Sequence, residues 1–293
     1  MYNNGGRIER YLLTIMNDLQ KKQLEILKEI IRVCEKHNLK YYLLGGSVLG
    51  AVRHEGFIPW DDDIDICMPR PDFDKLMALK DEFKAPYFLQ NTKTDPGFTY
   101  AMAKLRDSST TYVETVFSRT KMNHGIFVDI FPLDGMSRRK NAKKAIGPKP
   151  YLLWFMWWFT YMGHFFRKPN WKKPHWTLLG YLASIIFLPF NIFNWTAKLI
   201  KAWTKSINYD KATLIGPYLT MYFNRDSFPK SWFGDGVEGT FEGMKVILPT
   251  EYDKYLTQIY GDYMKLPPLD KQKGHHWHKG CSTTIGYKDF PQQ

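Results

Sequence analysis

The stretch LLGGSVLGAVRHEGFIPWDDDIDICM, Leu43 to Met68, carries two glycines and a serine, then an arginine and a histidine, then four aspartates in five positions. Asp61, Asp62, Asp63 and Asp65 repel one another, so something must compensate for crowding them together. Upstream, the apolar run KYYLL stopped by Gly45-Gly46 predicts a buried strand entering a glycine turn, with Ser47 capping a short helix through about Arg53. Downstream, DIDICM alternates acid and apolar residues and predicts a strand that ends at Pro69. Residues two apart on a strand share a face, so Asp63 and Asp65 are expected to project together while Ile64 and Ile66 enter the core.

Two carboxylates side by side on a half-buried strand resist ionisation unless a cation satisfies them, and a hard divalent ion, Mg²⁺ or Mn²⁺, suits all-oxygen donors. A solvated acidic turn is the bland alternative. Against it stands the glycine turn: backbone N–H groups opening a helix, with glycine allowing close approach, can cradle a phosphate. A lone Gly-Gly-Ser fits any tight turn. Followed 16 positions later by Asp63, it is more specific, because magnesium bridges carboxylates to phosphate oxygens. A further acid, Asp129, interrupts the apolar run of HGIFVDIFPLDG. It is either a surface-facing strand residue or, on a strand beside Asp63 and Asp65, the third carboxylate of a two-metal phosphoryl-transfer site.

Around this stretch the 293-residue chain has material for one large domain or two ordinary ones. Apolar positions Leu24, Leu27, Ile30, Ile31 and Cys34, in the pattern from Leu19 to Val33, predict an amphipathic helix ending near His37-Asn38. RPDFDKLMALKDEF predicts another helix. Tyr87 to Gln90, Ala101 to Arg106, Thr110 to Glu114 and Ile126 to Phe131 are strand candidates, as is TFEGMKVILP, and TEYDKYLTQIYG predicts a helix opened by Thr250 and closed by Gly261. The expected class is α+β, a mixed sheet flanked by helices. Cys34, Cys67 and Cys281 are too few and scattered for a disulfide framework, which implies a reducing compartment, and the charged N-terminal residues do not form a secretory signal.

The net charge of +12 is confined to one segment. Arg138 to Lys205 holds 13 of the 41 basic residues and no acid, which leaves 28 basic residues against all 29 acidic ones elsewhere. That distribution argues against nucleic acid as a partner. The segment also contains seven of the ten tryptophans and two apolar runs, Tyr151 to Phe166 and Trp176 to Phe193, separated by RKPNWKKPH. It predicts a helical hairpin whose basic flanks and tryptophans suit docking on an anionic membrane; at 16 and 18 residues the runs favour lying in the interface over spanning it. The chain thus divides into an N-terminal catalytic part (1–137), an inserted membrane-associating hairpin (138–207), and a C-terminal part (208–293) that completes the catalytic domain and ends in a flexible tail containing His275, His276 and His278.

LLGGSVLGAVRHEGFIPWDDDIDICMPRPDF, with KLRDSSTTYVE, GIFVDIFPLDG and YGDYMKLPP, closely resembles the LicD/fukutin family of phosphotransferases, whose catalytic region is similar to the nucleotidyltransferase fold. The resemblance covers roughly Leu24 to Gly135 and Phe241 to Lys271 and leaves the basic insert unexplained. It implies that Asp63 and Asp65 hold the metal, that Asp129 is the third metal carboxylate and a candidate base, and that Gly45, Gly46 and Ser47 receive the donor phosphates. Arg53, Lys104 and Arg106 become candidate phosphate contacts, with a plain surface charge or an ion-pair partner as their alternative, and Trp60, Asp61, Asp62 and His54 become supporting residues. The implied reaction moves phosphocholine or a polyol phosphate from a CDP-linked donor to a hydroxyl of a lipid-linked cell-surface glycan, releasing CMP at the cytoplasmic face of the membrane. The rival readings are an Asp-x-Asp nucleotide-sugar glycosyltransferase, a nucleotidyltransferase releasing pyrophosphate, and a non-enzymatic membrane-bound scaffold.

Overall fold

A computed structural model describes residues 16–136 except 99 and 119, then 207–217, 225–274 and 277–291, with isolated positions between 174 and 202. Helix α1 (Asp18–Lys36) opens with a capping box: Asn17 accepts the Gln20 N–H, and the Gln20 side chain accepts the Asn17 N–H. Its buried face, from Leu24 and Leu27 through Ile30 and Ile31 to Cys34, lies on β4 (Ala103–Asp107) and β6 (Ile126–Met136). Strand β1 (Tyr42–Leu43) leads into α2 (Gly45–His54), and β2 (Asp65–Pro69) into α3 (Arg70–Ala78).

The sheet runs β1-β2-β6-β4-β3, with β3 at Tyr87–Gln90. Along this path only the β2–β6 pair is parallel; β1, β4 and β3 pair antiparallel with their neighbours. The far end of the long β6 pairs with β7 (Leu214–Gly216), and β7 with β8 (Phe228–Pro229). This is the expected mixed α+β arrangement. Its centre is dry: Ile64, Ile66, Val128 and Ile130 are fully enclosed, each side chain contributing about 1.5–3 kcal/mol by leaving water. Where β6 leaves this core, Arg70 at the start of α3 donates from Nε and Nη2 to both oxygens of buried Asp134. Breaking so enclosed a pair costs about 3–5 kcal/mol, so it pins α3 to the sheet.

Several local expectations are corrected. Ser47 is not a helix cap: α2 begins at Gly45, with Leu44 as the residue before it. The helix expected over 70–83 ends at Ala78 and continues as a 3₁₀ turn, Lys80–Glu82. TFEGMKVILP is a hairpin rather than one strand, because Glu242 and Gly243 both take positive φ (50° and 72°) and join β9 (Val237–Phe241) to β10 (Met244–Leu248). Helix α4 (Tyr252–Tyr260) follows Glu251, while Thr250 caps nothing and instead donates its hydroxyl to Phe233 O. The C-terminal residues after 277 are not a loose tail: β11 (His278–Ser282) pairs antiparallel with β5 (Thr111–Glu114). The expected hairpin at 138–207 lies outside the described residues apart from a few positions. No helix among the described residues is long and apolar enough to cross a membrane.

Candidate active site

The glycine turn is held from three sides. Leu44 N–H donates to Asp65 O at 2.9 Å, which closes the end of β1 onto β2. Gly45, at φ +55°, is in the left-handed region that favours glycine, and its N–H donates to the Tyr255 hydroxyl of α4 at 2.8 Å. Ser47, buried in the first turn of α2, accepts the Asp65 N–H on its hydroxyl at 2.9 Å. Its role in this structure is therefore a bracket between turn and acidic strand. A Cβ on Gly46 would stand 2.9 Å from Asp61 Oδ2, and one on Gly45 would stand 3.6 Å from Asp65 Oδ2 and 3.8 Å from the Tyr260 hydroxyl. Glycine turn and carboxylates thus face each other at van der Waals range.

Strand β2 starts at Asp65, so the alternation that was to place Asp63 beside Asp65 does not reach it. Asp63 lies in the loop before the strand, where its carboxylate oxygen is within 4.8 Å of those of Asp61 and Asp62. The pairing with β6 does extend one residue, since Asp129 N–H donates to Ile64 O at 3.0 Å, and Asp65 and Asp129 are direct register partners on the parallel strands. The acids form two adjoining groups: Asp61, Asp62 and Asp63 in the loop, and Asp65 with Asp129 on the sheet. Helix α1 holds the loop, Gln20 Nε2 donating to Asp61 O at 3.0 Å and Gln23 Nε2 to Asp62 O at 2.8 Å. On the other side the chain passes at Gly274, where a Cβ would stand 2.6 Å from Asp62 Oδ2.

Beneath Asp129 is a dry charge cluster. Lys104, its register partner on β4, places Nζ 3.0 Å from Asp129 Oδ1 and 3.1 Å from Glu114 Oε1. Arg106 reaches the other oxygen of Glu114 at 2.8 Å, donates to Gly125 O at 2.6 Å, and bonds the Gln90 side-chain oxygen. Both cations lie over the Phe127 ring, Lys104 Nζ 3.3 Å from its centroid. Burial opposes ionisation of Glu114, but Lys104 and Arg106 outweigh it and hold its carboxyl down at about 2. At 1% and 0% exposure, Lys104 and Arg106 do not stand where a phosphate could be met directly. Both make the ion pairs of the alternative reading, Lys104 with Asp129 and Glu114 and Arg106 with Glu114.

Arg53 and His54 end α2. Arg53 Nη1 donates to Tyr263 O at 2.7 Å and its Nε to His54 Nε2 at 3.0 Å. Burial, then the Arg53 charge, lower His54 to about 4, so its ring is neutral at pH 7. Trp60 meets that ring edge-on at 6.4 Å and packs against the core. The β11 strand brings His278 opposite Glu114 in register and sets its ring 4.9 Å from that of Tyr112. A cavity of about 770 Å³ between Phe88, Asp95, Asn123 and Tyr287 is lined by none of the acids of this site. Sequence reading passed over Gln20, Gln23, Glu114, Tyr255 and Tyr260. Only the glutamines left a trace, as polar residues continuing the apolar face of α1.

Residues 38–149 match the family model described as LicD/FKTN/FKRP, nucleotidyltransferase domain. The lipopolysaccharide cholinephosphotransferase LicD of Haemophilus influenzae is 32% identical over 260 residues, covering 86% of this chain and 92% of that one. The chain belongs to the LicD family. As a LicD-family protein it is an enzyme that transfers phosphorus-containing groups. An uncharacterised protein of Rickettsia typhi is 36% identical over 81 residues, 28% of this chain and 26% of that one. The human ribitol 5-phosphate transferase FKRP is 45% identical over 42 residues, 14% of this chain and 8% of that one.

The donor set of this LicD-family site is chemically suited to a hard divalent cation. It is composed of carboxylates, three of them with oxygens within 4.8 Å of one another, and it approaches glycines so closely that a Cβ on Gly46 would meet Asp61 Oδ2 at 2.9 Å.

Proposed function

We propose that the protein transfers a substituted phosphate, phosphocholine or a polyol phosphate, from a CDP-linked donor to a hydroxyl of a cell-surface glycan precursor. The acceptor oxygen forms a bond to the distal phosphorus, the bond from that phosphorus to the bridging oxygen breaks, and CMP leaves. The observation that carries this reading is the contact between the Gly45-Gly46 turn and the carboxylates of Asp61 and Asp65, with Asp129 the register partner of Asp65. Such a surface joins a phosphate cradle to hard oxygen ligands.

In this reading Asp63, Asp65 and Asp129 hold Mg²⁺ or Mn²⁺, with Asp61 and Asp62 beside them. When bound, the cation neutralises charge on the phosphate oxygens. The Gly46 N–H belongs to the first turn of α2, where a helix leaves its N–H groups without an intrahelical acceptor, and in this reading it orients the donor phosphates. Lys104, 3.0 Å from Asp129 Oδ1, holds that carboxylate in place, where in this reading it serves as a ligand or takes the acceptor's proton. Arg53 and His54 border the nucleotide side, and Trp60 supports them. A nucleotidyltransferase-like arrangement of sheet and turn is part of the same proposal, as is docking of the basic, tryptophan-rich segment 138–205 on the cytoplasmic face of an anionic membrane, next to a lipid-linked acceptor. Leu178, Leu179 and Leu182 of that segment are about half exposed or more (61%, 50% and 49%), which supports it.

The test offers the purified protein CDP-choline, CDP-glycerol and CDP-ribitol with a membrane lipid extract, with and without EDTA, and follows CMP by mass spectrometry. CMP release from one donor, lost with EDTA and in Asp63→Asn and Asp65→Asn, is the expected result. Release of pyrophosphate, or full activity of either variant, overturns the assignment.

A further inference from the structure

We infer that Gln20 and Gln23 are positioning residues of the acidic loop, their side-chain amides fixing the backbone that sets Asp63, with Asp61 and Asp62 beside it, for a divalent cation; this rests on the cation site proposed above. Both occupy the face of α1 that carries Leu24 and Leu27 into the core, where an apolar side chain would be expected, and they are 2% and 1% exposed. Burying a primary amide is unfavourable unless its hydrogen bonds are made. Each amide nitrogen is used, and on successive residues of the same loop: Gln20 Nε2 on Asp61 O and Gln23 Nε2 on Asp62 O. The oxygen of Gln23 is enclosed without a hydrogen-bond partner among the described residues, so the side chain is kept at a cost for what its nitrogen does.

The need for such a hold follows from the loop itself. Three consecutive carboxylates, with oxygens within 4.8 Å of one another, repel before any cation arrives, and the loop precedes the first ladder residue of β2. The turn that enters it is closed by Asp61 N–H donating to Ile58 O at 2.8 Å. Fixing the Asp61 and Asp62 carbonyls from a rigid helix restrains the backbone that carries all three acids, the way outer partners orient ligands at metal sites. Gln20 is in turn fixed by Asn17 through the capping box, so the loop is referred to the start of α1. That helix lies wholly before the matched family domain at 38–149, and by this inference it is a working part of the site.

The test uses the full-length chain without donor, titrated with Mn²⁺ and read as free Mn²⁺ by electron paramagnetic resonance. Gln23→Met keeps length and burial but cannot donate; it is expected to weaken Mn²⁺ binding about tenfold or more, with unchanged circular dichroism. Leu27→Ala loosens the same helix away from the loop and is expected to bind Mn²⁺ as the parent does. Gln20→Met gives the second reading should Gln23→Met fail to fold. Equal affinity in the parent and the glutamine variants overturns the inference, and so does equal weakening in Leu27→Ala, which would mark a merely structural role. A parent chain that binds no Mn²⁺ instead overturns the cation site itself, and the two failures are distinct.

Discussion

The hydroxyl of Tyr255 accepts the N–H of Gly45 at 2.8 Å across 210 positions of sequence. Tyr255 is buried in α4, and burial pushes its hydroxyl well above its ordinary pKa, so the group stays protonated and neutral while accepting. Its ring also packs on Phe228 and Phe233. The turn proposed to receive phosphate is thus fastened to a helix from the far end of the chain. Tyr255→Phe should cost about 0.5–1.5 kcal/mol in urea denaturation, because it removes the acceptor of the part-buried Gly45 N–H while keeping the ring packing. It should raise KM for the CDP-linked donor more than it lowers kcat, as measured by CMP release at several donor concentrations.

Glycine itself is tested at two neighbouring positions with different outcomes. Gly45→Ala forces a left-handed φ of +55° on a residue with a Cβ, a strain of about 1–2 kcal/mol that should appear as lost thermal stability. Gly46→Ala has no such strain, but its Cβ would stand 2.9 Å from Asp61 Oδ2. A swing of the Asp61 side chain relieves that contact, so stability should hold while donor binding weakens. Donor titration by calorimetry distinguishes the two variants.

Asp65→Asn and Asp129→Asn should both lose turnover, for separable reasons. Asp65 borders the turn, and its replacement should leave the melting temperature close to that of the parent. Asp129→Asn also removes one of the two counter-charges of enclosed Lys104, leaving only Glu114, so it should lower the melting temperature where Asp65→Asn does not. Differential scanning calorimetry of the pair reads the difference.

Glu114 supplies a pH dependence. Its folded pKa, about 2, is below the ordinary glutamate value of 4.5, so its ion pairs with Lys104 and Arg106 contribute stability that is fully present above pH 4.5 and is lost as pH falls toward 2. Glu114→Gln should therefore be less stable than the parent at pH 7, and the gap should narrow on acidification below 4.5. Chemical denaturation at pH 7, 5 and 3 checks both the sign and the window.

Much of the frame was legible because local patterns suffice for it. The apolar period of α1, the run into Gly45 and the apolar flanks of Asp129 predict a helix, a turn and a buried strand, and the structure has each of them. Boundaries failed where alternation outran the ladder: DIDICM reads as one strand from its first acid, whereas pairing begins at Asp65, so Asp63 belongs with Asp61 and Asp62. Glu242 at positive φ is not a turn residue by type, which hid the β9–β10 hairpin. Lys104 and Arg106 read as phosphate contacts, surface charges or ion-pair partners, since burial is not written in a residue type.

The mixed α+β class, the glycine turn followed by a cluster of acids, and the family could all be read along the chain, because each depends on residues close together in it. What those residues touch came only with the folded arrangement. It set Asp129 beside Asp65, buried Lys104 and Arg106 beneath them, and brought Gln20, Gln23 and Tyr255 to the loop and the turn from opposite ends of the chain. Those contacts arise from closing the sheet and packing α1 and α4 against it, and contacts between distant segments have no period or spacing by which a single sequence could announce them.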